Sequence, residues 1–293
     1  MGSTTFARRI AATARRNAVS RAPDVDVGII YTYERQFLDL LVGSLAHSAD
    51  VAFPRLILVD NASDEGVSEW EGVFARTKVI RNERRIGYGP NLNRILSASS
   101  ARYVLLLNTD MFFDPEERVL DRMVAFMDEH PDCGVAGCRM YRADGSYAYS
   151  ARRFYSLPMI AARRLGWLGR PFSSAEDRLL YRDRDRRSQF ECDWLSGCFL
   201  MVRREAVEQI GGFDERFEKY FEDVDFCTRM AAGGWKVMFN GATYGYHLEQ
   251  RASKRFLSRD AFAHLRSYLR WLFKWGRRKG GLGNNRGAIR VSR

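Results

Sequence analysis

Three carboxylates, Glu222, Asp223 and Asp225, stand within four positions of "KYFEDVDFCTRMAAGGWKV", residues 219–237, flanked by Tyr220, Phe221, Val224 and Phe226. A helix start accounts for acids in a first turn, where unpaired backbone N–H groups and the macrodipole attract negative charge. A carboxylate held at the edge of a cleft could instead take the proton of an attacking hydroxyl. Asp225 and Arg229 are four apart and fit a structural i,i+4 pair. That leaves Glu222 and Asp223 as candidate bases. They lie about 100° apart on a helix, so only one of them readily faces an acceptor.

Other polar groups close apolar runs. Tyr31-Thr32-Tyr33 ends "VDVGIIY", Asp60 and Asn61 end "LILVD", and Asn108-Thr109-Asp110 ends "YVLLL". A carboxylate such as Asp60 can accept the imide N–H of uracil or thymine. Asp110 is a hard oxygen ligand suited to Mg2+ or Mn2+ bridging a diphosphate. Asp and Asn also terminate strands as ordinary turn residues, so the weight lies on three loops converging. "RIGYGPN" has Leu92 where a dinucleotide fingerprint needs its third glycine, which argues against nicotinamide binding. There is no phosphate-loop "GK[ST]", no "GxSxG" and no "HExxH".

Positioning such loops takes a chain of alternating elements. "VDVGIIY", "RLILVD", "TKVIRN", "RYVLLLN" and a short "CGVAGC" read as strands. "ERQFLDLLVGSLAHS", "EGVSEWEGVFA", residues 90–99 and "DPEERVLDRMVAFMDEH" read as helices, the last with Pro115 in its first turn. This order predicts an α/β fold whose ligands bind beyond the carboxyl ends of the strands. Past residue 139 the rhythm breaks. "RMYRADGSYAYSARRF" predicts a hairpin turning at Asp144-Gly145, and "WLSGCFLMV" and "WKVMF" predict later strands, with "YGYHLE" after them.

With 293 residues, 46% hydrophobic and 28% charged, the composition is that of a soluble globular protein. No apolar run is long enough for a transmembrane helix. The five cysteines lack zinc-ribbon spacing and read as buried thiols in a reducing compartment. Residues 1–23 carry +5 and residues from Arg251 onward +12, against +11 overall, which leaves the body at −6. Basic ends on an acidic body fit an anionic membrane surface better than nucleic acid. The first residues lack the apolar run of a secretory signal, and Phe6 stands where myristoylation needs Ser or Thr. Three segments follow: a basic stretch 1–24, a domain 25–250 and a basic helical tail 251–293. In the tail, Phe262, Leu265, Leu269 and Leu272 share a helical face, and Arg266, Arg270, Lys274 and Arg278 line another. An interfacial helix with Trp271, Phe273 and Trp275 at headgroup depth is the expectation, beside the alternative that the helix packs on the domain.

"VDNAS", "RNERRIGYGPNLN", "LLLNTDMFF", "SGCFLMVRREAVEQIGGFDERFEKYFEDVDFCTRMAAGGWKV" and a following His, in that order, resemble family 2 glycosyltransferases of GT-A fold. The rhamnosyltransferase-like branch, which builds bacterial surface polysaccharides, is the nearest. The resemblance implies a mixed, mostly parallel sheet flanked by helices and an inverting enzyme. It implies a nucleotide-diphosphate sugar donor, a divalent metal (Mn2+ or Mg2+), and a glycan or lipid-linked acceptor. By position, Asp60 corresponds to the base-recognising acid, and Asn82, Gly87 and Asn93 fall on the donor side with Tyr31, Thr32, Tyr33 and Asn61. Asn108-Thr109-Asp110 stands at the family's metal-binding Asp-x-Asp, with Asn in place of the first acid. Asp223 corresponds to the catalytic base with Glu222 beside it, His247 to a metal-ligating histidine, and Trp194 and Tyr220 fall on the acceptor side. The expected location is cytoplasmic, peripheral at the inner face of the cell membrane. Two rivals differ in class. A nucleotidyltransferase would need a Gly-rich basic loop after the first strand, where "YTYERQ" has no glycine. A non-catalytic polyanion binder leaves the loops and the acidic pair without a role.

Overall fold

The computed structural model describes residues 24–33, 35–46, 55–67, 70, 76–154, 177–248 and 259–276. The basic N-terminal stretch, most of the helix expected at "EGVSEWEGVFA" and the Arg-dense residues 155–176 lie outside them. Twelve strands are described, of which ten form one sheet. β1 (Val25–Tyr31), β2 (Arg55–Asp60), β3 (Thr77–Arg81) and β4 (Tyr103–Leu107) pair in parallel, as their apolar runs predict. All five residues of β4 are buried, which a strand covered on both faces requires.

The other half is mixed. β6 (Cys133–Tyr141) runs parallel to β12 (Lys236–His247), while β11 (Phe199–Arg203) lies antiparallel between β4 and β6. β5 (Met111–Phe112) and β9 (Gln189–Glu191) pair antiparallel with β12, and β7 (Tyr147–Ala148) with β6. β8 (Ala151–Arg152) and β10 (Trp194–Leu195) form a separate ribbon. Because two antiparallel steps separate β4 from β6, the carboxyl ends of β1, β2, β4, β6 and β12 share one edge.

Helices cover both faces. α1 (Arg35–Ala46) and α3 (Val119–Glu129) bury Leu38, Leu41, Met123 and Phe126 on one side. On the other lie α2 (Tyr88–Ala98), α4 (Arg204–Ile210), α5 (Glu222–Ala232) and α6 (Arg259–Trp275), with Ile95, Phe226 and Trp271 fully buried.

Several expectations change. The helix expected from Asp114 splits into a 3-10 turn, Pro115–Glu117, and α3, because Arg118 adopts φ 48° between them. "WLSGCFLMV" divides into β10 and β11 around a turn at 196–198. "CGVAGC" extends to nine residues, and "WKVMF" and "YGYH" fuse into one twelve-residue strand. The hairpin at Asp144-Gly145 is present, with Gly145 at φ 77°. All five cysteines are free and buried.

The correction with most bearing on the site concerns α6. Trp271 and Trp275 do not sit at headgroup depth: they are 0% and 5% exposed, packed with Tyr268 against α5. Only part of the four-residue Phe/Leu stripe packs inward: Leu272 lies against the core, whereas Phe262 and Leu269 face outward, as does Phe273. Indoles win the inner face because each finds a polar partner there. Trp271 Nε1 donates to Thr228 Oγ1 (3.2 Å) and Trp275 Nε1 to Asp225 Oδ1 (2.8 Å).

Candidate active site

The register of the parallel strands sets Tyr31 beside Asp60 and Asp60 beside Arg81 at the shared edge. Asp60 is buried, and its Oδ1 accepts the Ser63 N–H at 2.8 Å, which fixes the turn after β2. Tyr31 spends its hydroxyl on Glu65 (3.4 Å), whereas Tyr33 is exposed. Asn61 Oδ1 accepts from Asn82 Nδ2 (2.9 Å) and Ile86 N (2.9 Å), and its Nδ2 reaches Thr32 Oγ1 (3.4 Å). Asn82 Nδ2 also donates to Asn91 Oδ1 at 2.7 Å. An asparagine ladder, Asn61–Asn82–Asn91, thus welds the loops after β1, β2 and β3. Asn91 was not singled out from the sequence; its spacing of nine from Asn82 carries no local signal. Asn82 Oδ1 is left buried without a partner.

Gly87 precedes α2, and a Cβ there would meet the Glu218 carbonyl at 3.2 Å. Asn93, expected on the donor side, engages the segment after α4. It donates to Phe213 O and Glu215 Oε1 and accepts from Phe213 N, so its amide ties "GGFDERF" to α2. Gly212 is required beneath it, since a Cβ would fall 2.3 Å from Asn93 Oδ1.

Beyond β4, Asn108 Oδ1 accepts from Tyr88 Oη at 2.7 Å, and Thr109 lies in the turn leading to Asp110. Asp110 Oδ1 stands 3.2 Å from His247 Nε2, a contact made when β12 brings His247 opposite Met111. Burial lowers the proton affinity of His247, but the Cys198 sulfur and the Asp110 carboxylate outweigh it and lift its pKa to about 11. No group of three or more His, Cys, Asp or Glu is assembled for a metal among the described residues. One carboxylate and one imidazole nonetheless suit Mn2+ or Mg2+, which complete their shells with water and diphosphate oxygens.

Across the edge, α5 begins in an unusual way. Tyr220 and Phe221 both have φ 68°, consecutive left-handed residues that carry large side chains. Contacts from α6 hold them: Phe221 meets the His264, Tyr268 and Trp271 rings at 5.2–6.2 Å, Tyr220 meets His264 at 5.4 Å, and Ser267 Oγ donates to Lys219 O. Asp225 is fully buried, clasped by Arg229 (2.9 Å), Lys274 (2.8 Å) and Trp275. The i,i+4 pair is therefore part of a clasp that docks α6. Lys274 also reaches Asp214, which with Arg216 holds that carboxyl well below its usual range.

The turn delivers Asp223 to the edge. Its Oδ2 accepts the Gly197 N–H (3.0 Å) and its Oδ1 the Val224 N–H (2.8 Å), so the carboxylate is aimed. Burial raises its pKa while those two N–H groups and the Arg152 charge oppose the rise. Glu222 has no such support: Oε2 is inaccessible and unpartnered. Burial and the Asp223 charge push its pKa up to about 8. Tyr88 sits between the clusters, donating to Asn108 and within 3.1 Å of Gly197 O, with its hydroxyl's pKa raised by burial and by Glu222, Cys198, Asp223 and Asp110. On the far side Trp194 is buried, donates to Arg153 O (2.9 Å) and carries the Arg152 guanidinium 4.9 Å over its ring. Tyr88, Gly197 and Arg152 were not anticipated; nothing local marks a tyrosine, a glycine or an arginine for such a place.

Comparison with known proteins identifies the family and the fold. The model of "Glycosyl transferase family 2" matches residues 27–211, and that of "N-terminal domain of galactosyltransferase" matches residues 184–251. The chain is 29% identical over 229 residues to an N-acetylglucosaminyl-diphospho-decaprenol L-rhamnosyltransferase of Mycobacterium tuberculosis, covering 73% of this chain and 71% of the relative. Among solved structures it resembles GalNAc-T7 with UDP, GalNAc and Mn2+ at a TM-score of 0.60 and 15% identity, covering 87% of this chain but only 49% of that one. Staphylococcus aureus TarS 1-349 in complex with UDP-GlcNAc gives a TM-score of 0.56 at 17% identity, covering 85% of this chain and 67% of that one. The fold is GT-A, and the family model spans most of the chain: this chain is a glycosyltransferase and belongs to glycosyl transferase family 2.

Proposed function

We propose that the enzyme transfers a sugar, rhamnose before any other, from a nucleotide-diphosphate donor to a glycan or lipid-linked acceptor in cell-surface polysaccharide synthesis. The observation that carries the chemistry is the Asp223 carboxylate, anchored by the Gly197 and Val224 N–H groups and buried beside Tyr88. The acceptor hydroxyl attacks the anomeric carbon as the carbon–oxygen bond to the diphosphate breaks, and its proton passes to Asp223. Inversion follows from the single displacement. Asp60 would take the base, with Asn82 on the donor side and Tyr31, Thr32 and Asn61 shaping the loop around it. A divalent ion on Asp110 and His247 would offset charge on the departing diphosphate. The rhamnose and lipid-linked readings rest on the mycobacterial relative's name.

Membrane placement is supported by the outward face of α6, where Phe262, Leu269 and Phe273 are 70%, 42% and 80% exposed within a basic segment. No helix among the described residues is long and apolar enough to cross a membrane. The test of function is a donor screen that follows nucleotide-diphosphate release across activated sugars, with and without Mn2+ and a polyprenyl-diphosphate-linked N-acetylglucosamine acceptor. Release from none of the donors defeats the reading.

A further inference from the structure

The sheet edge beyond the Asp110–His247 pair carries a lattice of arginines and tyrosines that the proposed donor contacts leave unused. Tyr141 ends β6 opposite Tyr147 of β7, and Tyr244 lies near the end of β12, beside Arg139 in the β6–β12 register. The Tyr141 ring lies 6.1 Å from Tyr147 and 5.7 Å from Tyr244, and Tyr147 lies 4.6 Å from Tyr149. Two guanidinium groups, those of Arg139 and Arg186, lie over these rings, and a third, that of Arg152, reaches the Tyr149 backbone. Arg139 stands 5.6 Å over Tyr141 and 5.4 Å over Tyr244. Arg186 stands 4.8 Å over Tyr147 and donates to the Tyr149 hydroxyl (3.3 Å), and Arg152 donates to the Tyr149 carbonyl (3.3 Å). Because β6 and β12 run parallel to β4, this lattice opens at the same edge as the crevice. Arg152 ties it to the Asp223 carboxyl, whose ionised form its charge favours.

The arginines lack counter-charges. Nearby Arg122, Arg153 and Arg182 pair with Glu117, Asp183 and Asp177, whereas Arg139, Arg152 and Arg186 form no ion pair with any described carboxylate. Arg139 is only 8% exposed, and its Nε is buried without a partner. A dry guanidinium is costly, and ring faces recover only part of that cost. An anion would recover more, and the planar fork of arginine matches phosphate oxygens. Tyrosines at the same place supply flat faces edged with hydroxyls, which suit a sugar ring adjoining that anion.

We propose that this arginine–tyrosine surface binds a diphosphate together with its attached sugar, the acceptor's own. The inference rests on the lipid-linked acceptor reading above and adds where that acceptor docks. Calorimetry with a short-chain polyprenyl-diphospho-N-acetylglucosamine, in saturating nucleoside diphosphate to fill the donor site, reads the surface without turnover. The compound is expected to bind at least about tenfold more tightly than the methyl glycoside of the same sugar. Arg186→Gln and Arg152→Gln should each weaken it about tenfold and leave the glycoside unaffected. Equal affinity for the two compounds, or unmoved affinity in both variants, overturns the proposal. Phosphatidylglycerol vesicles form the second arm. If the double variant loses vesicle binding yet holds the soluble compound as before, a lipid headgroup is the ligand and the proposal falls. An enzyme that releases nucleotide diphosphate from no donor would defeat the functional reading, while this titration would still decide the surface.

Discussion

The two sides of the crevice are built by opposite means. On the β1–β4 side the polar side chains of the loops satisfy one another through the Asn61–Asn82–Asn91 ladder and the Asp60 turn, with one atom, Asn82 Oδ1, left over. On the α5 side two bulky residues hold left-handed backbone, Glu222 keeps a buried oxygen without a partner, and the arrangement leans on a helix about forty residues further along. The first side is a preformed receptacle. The second stores conformational and electrostatic cost where the proposed reaction moves a proton, the usual address of such cost.

That contrast can be broken most directly at Asp223. Asp223→Asn keeps the shape but removes proton acceptance and sets an amide N–H2 against one of two backbone donors. Steady-state turnover should fall roughly 10²–10⁴-fold with nucleotide affinity nearly unchanged. Glu222→Gln should be milder, and a dead Glu222→Gln beside an active Asp223→Asn would reverse the roles. The next effect is on stability. Asp225→Ala strands Arg229 and Lys274 in a buried site, so denaturant unfolding should show a loss of about 3–5 kcal/mol. An unchanged midpoint would mean that α6 is not needed to hold the strained side.

Effects on the receptacle side should be smaller and confined to binding. Asp60→Ala should weaken nucleotide binding by roughly 1.5–3 kcal/mol, measured by calorimetry, without lowering the melting temperature to a comparable extent. Asp110→Ala, or chelator, should abolish any stimulation by Mn2+; full activity in chelator removes metal from the mechanism. The smallest effect concerns pH. The Glu222 carboxyl has its folded pKa raised to about 8 from an ordinary 4.5, so the native state binds the extra proton between those values and loses stability as pH rises through that window. Glu222→Gln should therefore match the wild type in melting temperature near pH 4 and exceed it above pH 8. A constant difference across that range would place the strain elsewhere.

Legibility from sequence follows the same division. The β1–β4 half was readable because a strand buried on both faces writes a continuous apolar run, and its polar residues necessarily fall at the ends. Asp60, Asn61, Asn108 and Asp110 could be found this way. The i,i+4 relation of Asp225 and Arg229 was also legible, being local. The clasp by Lys274 and Trp275, some fifty residues on, was not. Helical periodicity marks which residues share a face, not which face wins, and α6 chose indoles with hydrogen-bond partners over a stripe of leucines. The partner of Asn93 was illegible for a related reason: its amide is engaged 120 residues away at Phe213.

The α6 clasp also has a consequence in time. Glu222 and Asp223 leave the ribosome well before Ser267, Trp271 and Lys274, which brace the turn that aims them. Until those later residues arrive, the Tyr220–Phe221 backbone lacks the partners that hold it left-handed, and the acid pair is unaimed. Under the proposed assignment, a nascent chain would carry its donor-side loops early and its aimed base late.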